Sequence, residues 1–311
     1  MSYFKYGLLA IKFDYHFKQG QDKNIFCGSF LTCFMLFGVL YDSINIFTKE
    51  LIMVPTYSPI TSNVNNGDLV HVDFEHKIGK YSAKDFKSDW GISPTLSSGL
   101  NQGRLNIVID PQNDKNKVLE LTYLANTVGS EAGTSFNVPI HGVHKALWLQ
   151  YRVMFSKEFM WVKGGKLPGL AGGDHPSGCI DNDSFDGFSS RLMWRKAGEL
   201  FGYLYYPEKN ERCGDYIKLE TSLKKNTWYT LTQYVKLNNI GKHDGIYIQY
   251  VDNQEVFRTN SLKLRNKNDV FIDAIKWSSF FGGSTLDWAP PVEQYAYFDD
   301  FVVSVGKPDN I

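Results

Sequence analysis

Residues 189–206 read SSRLMWRKAGELFGYLYY, two apolar and aromatic runs on either side of Lys-Ala-Gly-Glu (196–199). Successive side chains of a strand point to opposite faces. Ser189, Arg191, Met193 and Arg195 therefore share one face of the first run, and Ser190, Leu192 and Trp194 share the other. In the second run Phe201, Tyr203 and Tyr205 fall together, opposite Gly202, Leu204 and Tyr206. An antiparallel hairpin through 196–199 sets an arginine pair beside a tyrosine pair on one sheet face. A charged strand face is ordinarily a solvated one, but guanidiniums next to phenols also suit the lining of a groove.

The same alternation extends outward along the chain, in KALWLQYRVMF (145–155), TWYTLTQYVKL (227–237), GIYIQYV (245–251) and YAYFDDFVVSV (295–305). Short period-two runs separated by Gly, Asn, Asp and Pro clusters are the mark of a sandwich or barrel. No long stretch of helical period and no internal repeat interrupts them. The expected fold is all-β, closed as a two-sheet jelly-roll β-sandwich, which buries one face of each sheet and limits free edges. Two smaller β domains are the alternative. WVKGGKLPGLAGG (161–173) follows a buried strand and reads either as a segment that runs close to a bulky ligand, its glycines permissive and Pro168 stiffening the turn so that Lys166 is held at a groove, or as an ordinary glycine-rich surface loop.

Lys+Arg and Asp+Glu each number 33 among 311 residues, so no global field draws in nucleic acid or an anionic membrane. An anionic partner has to be met by a local basic cluster. Residues 25–41 carry no charge, a length between a secretory core and a membrane span, and 54–68 is a Pro, Ser, Thr and Asn-rich linker. The expected organisation is an N-terminal extension, 1–67, whose apolar segment targets or anchors the chain, ahead of a β domain over 68–311. Membrane association is expected only through 25–41, and the chain is expected to be a monomer. Cys179 and Cys213 are either bridged, as an oxidising compartment allows, or two reduced buried thiols. DNDSFDG (181–187) fails the EF-hand pattern at its fifth and twelfth positions, the histidines lack zincin spacing, and GKLPGLAGG lacks the Walker arrangement. No metal, cofactor or nucleotide is expected.

The cationic and phenolic set suits one reaction in particular. In a uronic acid polymer, β-elimination removes the C5 proton and expels O4. That proton is barely acidic until the neighbouring carboxylate is neutralised, a task for Arg or Lys. A base and an acid must serve C5 and O4. Tyrosine needs nearby positive charge to act as the base, which Arg191 and Lys166 would give Tyr203 or Tyr205. A glycoside hydrolase would instead need two carboxylates about 5–9.5 Å apart, for which Asp73 and Glu75 are the best candidates. A sugar-binding module without catalysis is the third reading.

KGGKLPGLAGG (163–173), FSSRLMWR (188–195), GYLYYP (202–207) and FFGGSTLDWAPPVEQYAYFDDF (280–301) together resemble polysaccharide lyase family 14, the alginate and glucuronan lyases of chlorella viruses and marine molluscs. The resemblance covers roughly 68–305. It implies a jelly-roll fold and eliminative cleavage of β-1,4-linked uronate polymers, glucuronan or alginate, in degrading algal wall or matrix. It implies an acidic polysaccharide as partner and action in the secreted or virion-associated state. It also implies Lys166, Ser189, Arg191, Tyr203 and Tyr205 as the catalytic set. Lys163, Arg195 and Trp194 are expected to bind substrate. Ala171 stands where family members commonly carry an aromatic, which bears on substrate preference more than on reaction type.

Overall fold

A computed structural model of the chain describes residues 67–93, 95–309 and 311. The apolar stretch 25–41, Cys27 and Cys33, and most of the linker lie outside the described residues. In chain order the elements are β1 (Asp68–Val72), β2 (Gly79–Lys80), α1 (Ala83–Trp90), β3 (Thr95–Ser98), β4 (Leu105–Asp110), β5 (Asn113–Tyr123), β6 (Thr134–His144), β7 (Ala146–Phe155), β8 (Gly164–Gly173), β9 (Gly187–Arg195), β10 (Glu199–Tyr205), β11 (Asp215–Ser222), β12 (Tyr229–Lys236), β13 (Gly245–Val251), β14 (Gln254–Leu262), β15 (Ile272–Ser279) and β16 (Gln294–Ser304).

The strands form two antiparallel sheets packed face to face. One runs β14-β13-β12-β7-β16-β5-β4-β2, with β1 paired to β16; the other runs β11-β10-β9-β8-β15-β6-β3. The runs of alternating sequence supply the core between them. Phe188, Leu192 and Trp194 from β9, Leu200 and Leu204 from β10, and Ile275 and Trp277 from β15 meet Leu147, Leu149, Tyr151, Val153, Phe298 and Phe301 of the facing sheet. Helix α1 adds Phe86 and Trp90 at one end of this core. It is stopped by Gly91 in the left-handed conformation and started by a Ser82–Asp85 capping box.

The glycine-rich segment is not a surface loop. Residues 164–173 form β8, a central strand buried along almost its whole length, with β9 on one side and β15 on the other. Its glycines serve close approach: a Cβ on Gly165 would collide with the Trp194 ring, and one on Gly169 with the Ser190 carbonyl. The pairing of β8 with β9 is broken between Leu167 and Leu170, so that Pro168 and Gly169 form a bulge. Its polar groups are met from beneath. Gln233 of β12 accepts from the Leu170 N–H (2.8 Å) and from Ser190 Oγ (2.7 Å), and donates to the Ser190 carbonyl (3.1 Å). Tyr151 of β7 donates to the Pro168 carbonyl (3.1 Å). A buried polar link of this kind is stable only when each member is satisfied, and here it fixes the height of β8 against the facing sheet.

Candidate active site

The 189–206 hairpin forms in the register its alternation implies. Ala197 and Gly198 take positive φ (56° and 78°) and reverse the chain, so that Tyr203 stands opposite Arg191 and Tyr205 opposite Ser189. With Leu192, Trp194, Leu200 and Leu204 turned into the core, Ser189, Arg191, Met193, Tyr203 and Tyr205 are left on the outer face of the seven-stranded sheet. Lys166 of β8 is paired with Met193 and joins that face.

The side chains converge. Lys166 Nζ lies 4.5 Å from the centroid of the Tyr203 ring, and the Arg191 guanidinium lies 5.3 Å and 5.4 Å from the rings of Tyr203 and Tyr205. The two phenolic oxygens are 2.8 Å apart, and both hydroxyls donate to the Cys213 carbonyl. That carbonyl is held by the disulfide Cys179–Cys213, which ties the segment after β8 to the turn after β10. Ser189 is fully buried and donates to the Pro176 carbonyl (2.8 Å). It anchors the Asp174–Gly178 segment rather than offering a free hydroxyl to a ligand.

Lys166 and Arg191 are buried, and neither pairs with a carboxylate among the described residues. Lys166 Nζ has one long hydrogen bond, to the Gly282 carbonyl (3.4 Å). Burial, then the charges of Arg191 and Arg195, push its pKa well below the ordinary lysine range. The site thus holds an amine whose charged form burial disfavours, beside a guanidinium that stays charged. Burial raises the phenols of both Tyr203 and Tyr205, and the lowering pull of Arg191 does not offset it. The phenolate expected for one of them gives way to two protonated tyrosines, because desolvation outweighs the neighbouring cation.

At one end of this face Arg195 sits between two rings, 5.8 Å from that of Tyr216 and 5.1 Å from that of Trp288. Lys163 is nearby, paired with Asp287 and 6.0 Å from the Trp288 ring. Trp194, expected to meet substrate, has no exposed surface and packs in the core against Phe155, Phe159 and Phe281. The even position it occupies on β9 points inward. Trp288, half-buried, supplies the aromatic beside Arg195 in its place.

Several residues on this face carry no motif. Lys276 of β15 is buried, with its Nζ donating to the His175 carbonyl (2.8 Å). Burial, then Arg191, lower its pKa to about 7. Its partner across the sheet is Asn137 of β6, whose amide lies 3.2 Å from His175 Nδ1. The sequence signal for Lys276 was there to be read, since it is a lone cation in the apolar run 270–281 and alternates with Trp277. Glu75, by contrast, is bound to Lys117 beside the nine-stranded sheet (Nζ to carboxylate 3.0 Å), away from this face.

Comparison with known proteins agrees in family and fold. The model of Polysaccharide lyase 14 matches residues 111–301, which include Lys166, Ser189, Arg191, Tyr203 and Tyr205. Exolysin of Paramecium bursaria Chlorella virus 1 is 25% identical over 206 residues, covering 56% of this chain and 31% of its own length. The chain thus spans about a third of that relative. A structure of alginate lyase Aly36B, with a lysine and a tyrosine replaced by alanine and alginate tetrasaccharide bound, is 25% identical; it covers 79% of this chain and 100% of its own, with a TM-score of 0.66. Alginate lyases from Aplysia kurodai (23% identity, TM-score 0.65, 76% of this chain and 98% of that one) and from a Chlorella virus, vAL-1 (23%, 0.58, 70% and 95%), share the fold.

Proposed function

Because the chain belongs to polysaccharide lyase family 14, we propose that the outer face of its seven-stranded sheet binds a β-1,4-linked polyuronate, alginate or glucuronan, and cleaves it by β-elimination. The observation that carries the reading is the convergence of a buried amine, a guanidinium and a phenol pair at one place, with no carboxylate among the described residues paired to them. The likeness to a lyase with alginate tetrasaccharide bound supports the substrate class.

Arg191 pairs with the carboxylate of the sugar to be opened and stabilises the enolate-like charge that develops there. Lys166 Nζ takes the C5 proton. The electron pair left on C5 forms the C4=C5 double bond, and the C4–O4 bond breaks. Tyr203, whose ring lies against Lys166, gives its proton to the departing O4. The resulting tyrosinate is held by Arg191 and the Tyr205 hydroxyl until it recovers a proton from the Lys166 ammonium, which restores both groups. Arg195, with Tyr216 and Trp288 on either side, holds a sugar further along the polymer, and Lys163 lies at its rim. The jelly-roll form of the sandwich belongs to the same reading. So does action outside the cell or on a virion against algal wall material, which the Cys179–Cys213 bond supports because such bonds persist in oxidising compartments.

Incubation with alginate and with polyglucuronate, following the absorbance of the conjugated double bond, tests the proposal. Growth of that absorbance on at least one polymer is expected. Release of reducing ends without it would point to hydrolysis, and binding without release to a non-catalytic module.

A further inference from the structure

The strand registers place a row of side chains straight across the seven-stranded sheet. Tyr216 pairs with Tyr203 and Tyr203 with Arg191; Arg191 faces the Pro168–Gly169 bulge; Gly169 pairs with Lys276 and Lys276 with Asn137. Between Arg191 and Lys276 the row contains the Pro168–Gly169 bulge, whose residue paired with Lys276 is the side-chain-free Gly169. Two basic side chains therefore stand on either side of this gap, two strand steps apart, or about 10 Å.

Lys276 is not explained by the fold around it. It is buried, it donates to one carbonyl, and among the described residues it has no carboxylate partner. An ammonium carries three donors, so two are left for a ligand. The nearest acid on its own strand, Asp273, is engaged with His175 Nε2. Asn137, equally buried, adds an amide beside it. A hydrophobic residue would be less costly at such a position unless an anion arrives to meet the charge.

A polyuronate laid along this row would bring that anion. One strand step is close to the length of one pyranose in a 1,4-linked chain, and in a flat ribbon alternate sugars turn their carboxylates to the same edge. We propose that Lys276 and Asn137 form a second carboxylate subsite, which takes the uronate two residues along from the one held by Arg191. This rests on the lyase reading above and goes beyond it by making Lys276 a determinant of substrate length and of charge at a second sugar.

The test compares the protein with its Lys276→Gln, Lys276→Arg and Asn137→Ala variants on oligouronates of two to seven residues, measuring both turnover and calorimetric binding. For tetramers and longer, Lys276→Gln is expected to lower kcat/KM by about tenfold, as befits one charge-assisted hydrogen bond. The loss should lie in KM, with kcat little changed. Lys276→Arg should recover part of it, Asn137→Ala should show a smaller loss of the same kind, and binding of the dimer should be unaffected. An equal loss at every length would mean a structural role and overturn the proposal, as would an unchanged KM on long oligomers. If the unaltered protein yields no unsaturated product yet shows the length-dependent binding loss, the lyase reading falls and the subsite stands.

Discussion

At the residue scale the distinction that matters is which group in the site carries a labile proton at neutral pH. Lys166 and Tyr203 are both buried, but burial acts on them in opposite senses: it disfavours the protonated amine and favours the protonated phenol. In the proposed elimination this makes the lysine the base and the tyrosine the acid. Because the folded pKa of Lys166 is depressed, its neutral form prevails above that value and is lost as pH falls through it, so kcat should decline on the acidic side. Lys166→Arg keeps a long basic side chain but cannot accept a proton near neutrality. It is expected to lower kcat by on the order of a hundredfold or more while polymer binding persists; turnover within a few-fold of the unaltered protein would remove the lysine from proton transfer. The two tyrosines should separate in the same assay. Tyr203→Phe should cost kcat on the order of a hundredfold or more, and Tyr205→Phe, which removes only a supporting hydrogen bond, about tenfold. The reverse order would exchange their roles.

At the element scale the hairpin β9–β10 was legible in the sequence and β8 was not. Alternation in 189–206 sufficed to place Arg191 beside Tyr203, because period two fixes the face of each side chain and the 196–199 turn fixes the register. For Trp194 the same rule, applied strictly, points inward; the aromatic beside Arg195 is Trp288, from a segment without strand periodicity. β8 escaped because glycine and proline are the ordinary marks of a loop. Here the glycines make room for the Trp194 ring and the Ser190 carbonyl, contacts contributed by another strand and invisible in the local sequence. Nor does anything local single out Gln233, 63 residues after Leu170, as the group that satisfies the bulge. Gln233→Leu would leave the Leu170 N–H and the Ser190 carbonyl without their partner. The expected cost is about 1–3 kcal/mol in denaturant unfolding, with kcat reduced as Lys166 and Arg191 shift; an unchanged midpoint would show that the bulge needs no support from below. The disulfide acts on the opposite side of the tyrosines. Replacing Cys179 and Cys213 by serine is expected to lower stability by about 2–4 kcal/mol, and to lower kcat at temperatures where the fold persists, because the Cys213 carbonyl orders both phenols. Full kcat in a folded double variant would show that the bridge contributes to stability alone.

At the scale of the whole molecule the chain is electrically balanced, with 33 basic and 33 acidic side chains, yet one sheet face gathers Lys166, Arg191 and Lys276 without an acid among the described residues to meet them. The sandwich makes this arrangement possible. Its inner faces bury enough aromatic and aliphatic surface to hold the seven strands rigid, so the outer face can carry unpaired basic side chains at fixed spacing. The central claim is that these basic side chains and the phenols beside them break a uronate chain by elimination. Mass spectrometry of the products from one oligouronate of defined length tests it most directly. Elimination adds nothing to the chain, so each pair of fragments should sum to the mass of the parent, with the new unsaturated end on one of them. Fragment pairs heavier than the parent by one water, with no unsaturated end, would contradict the account.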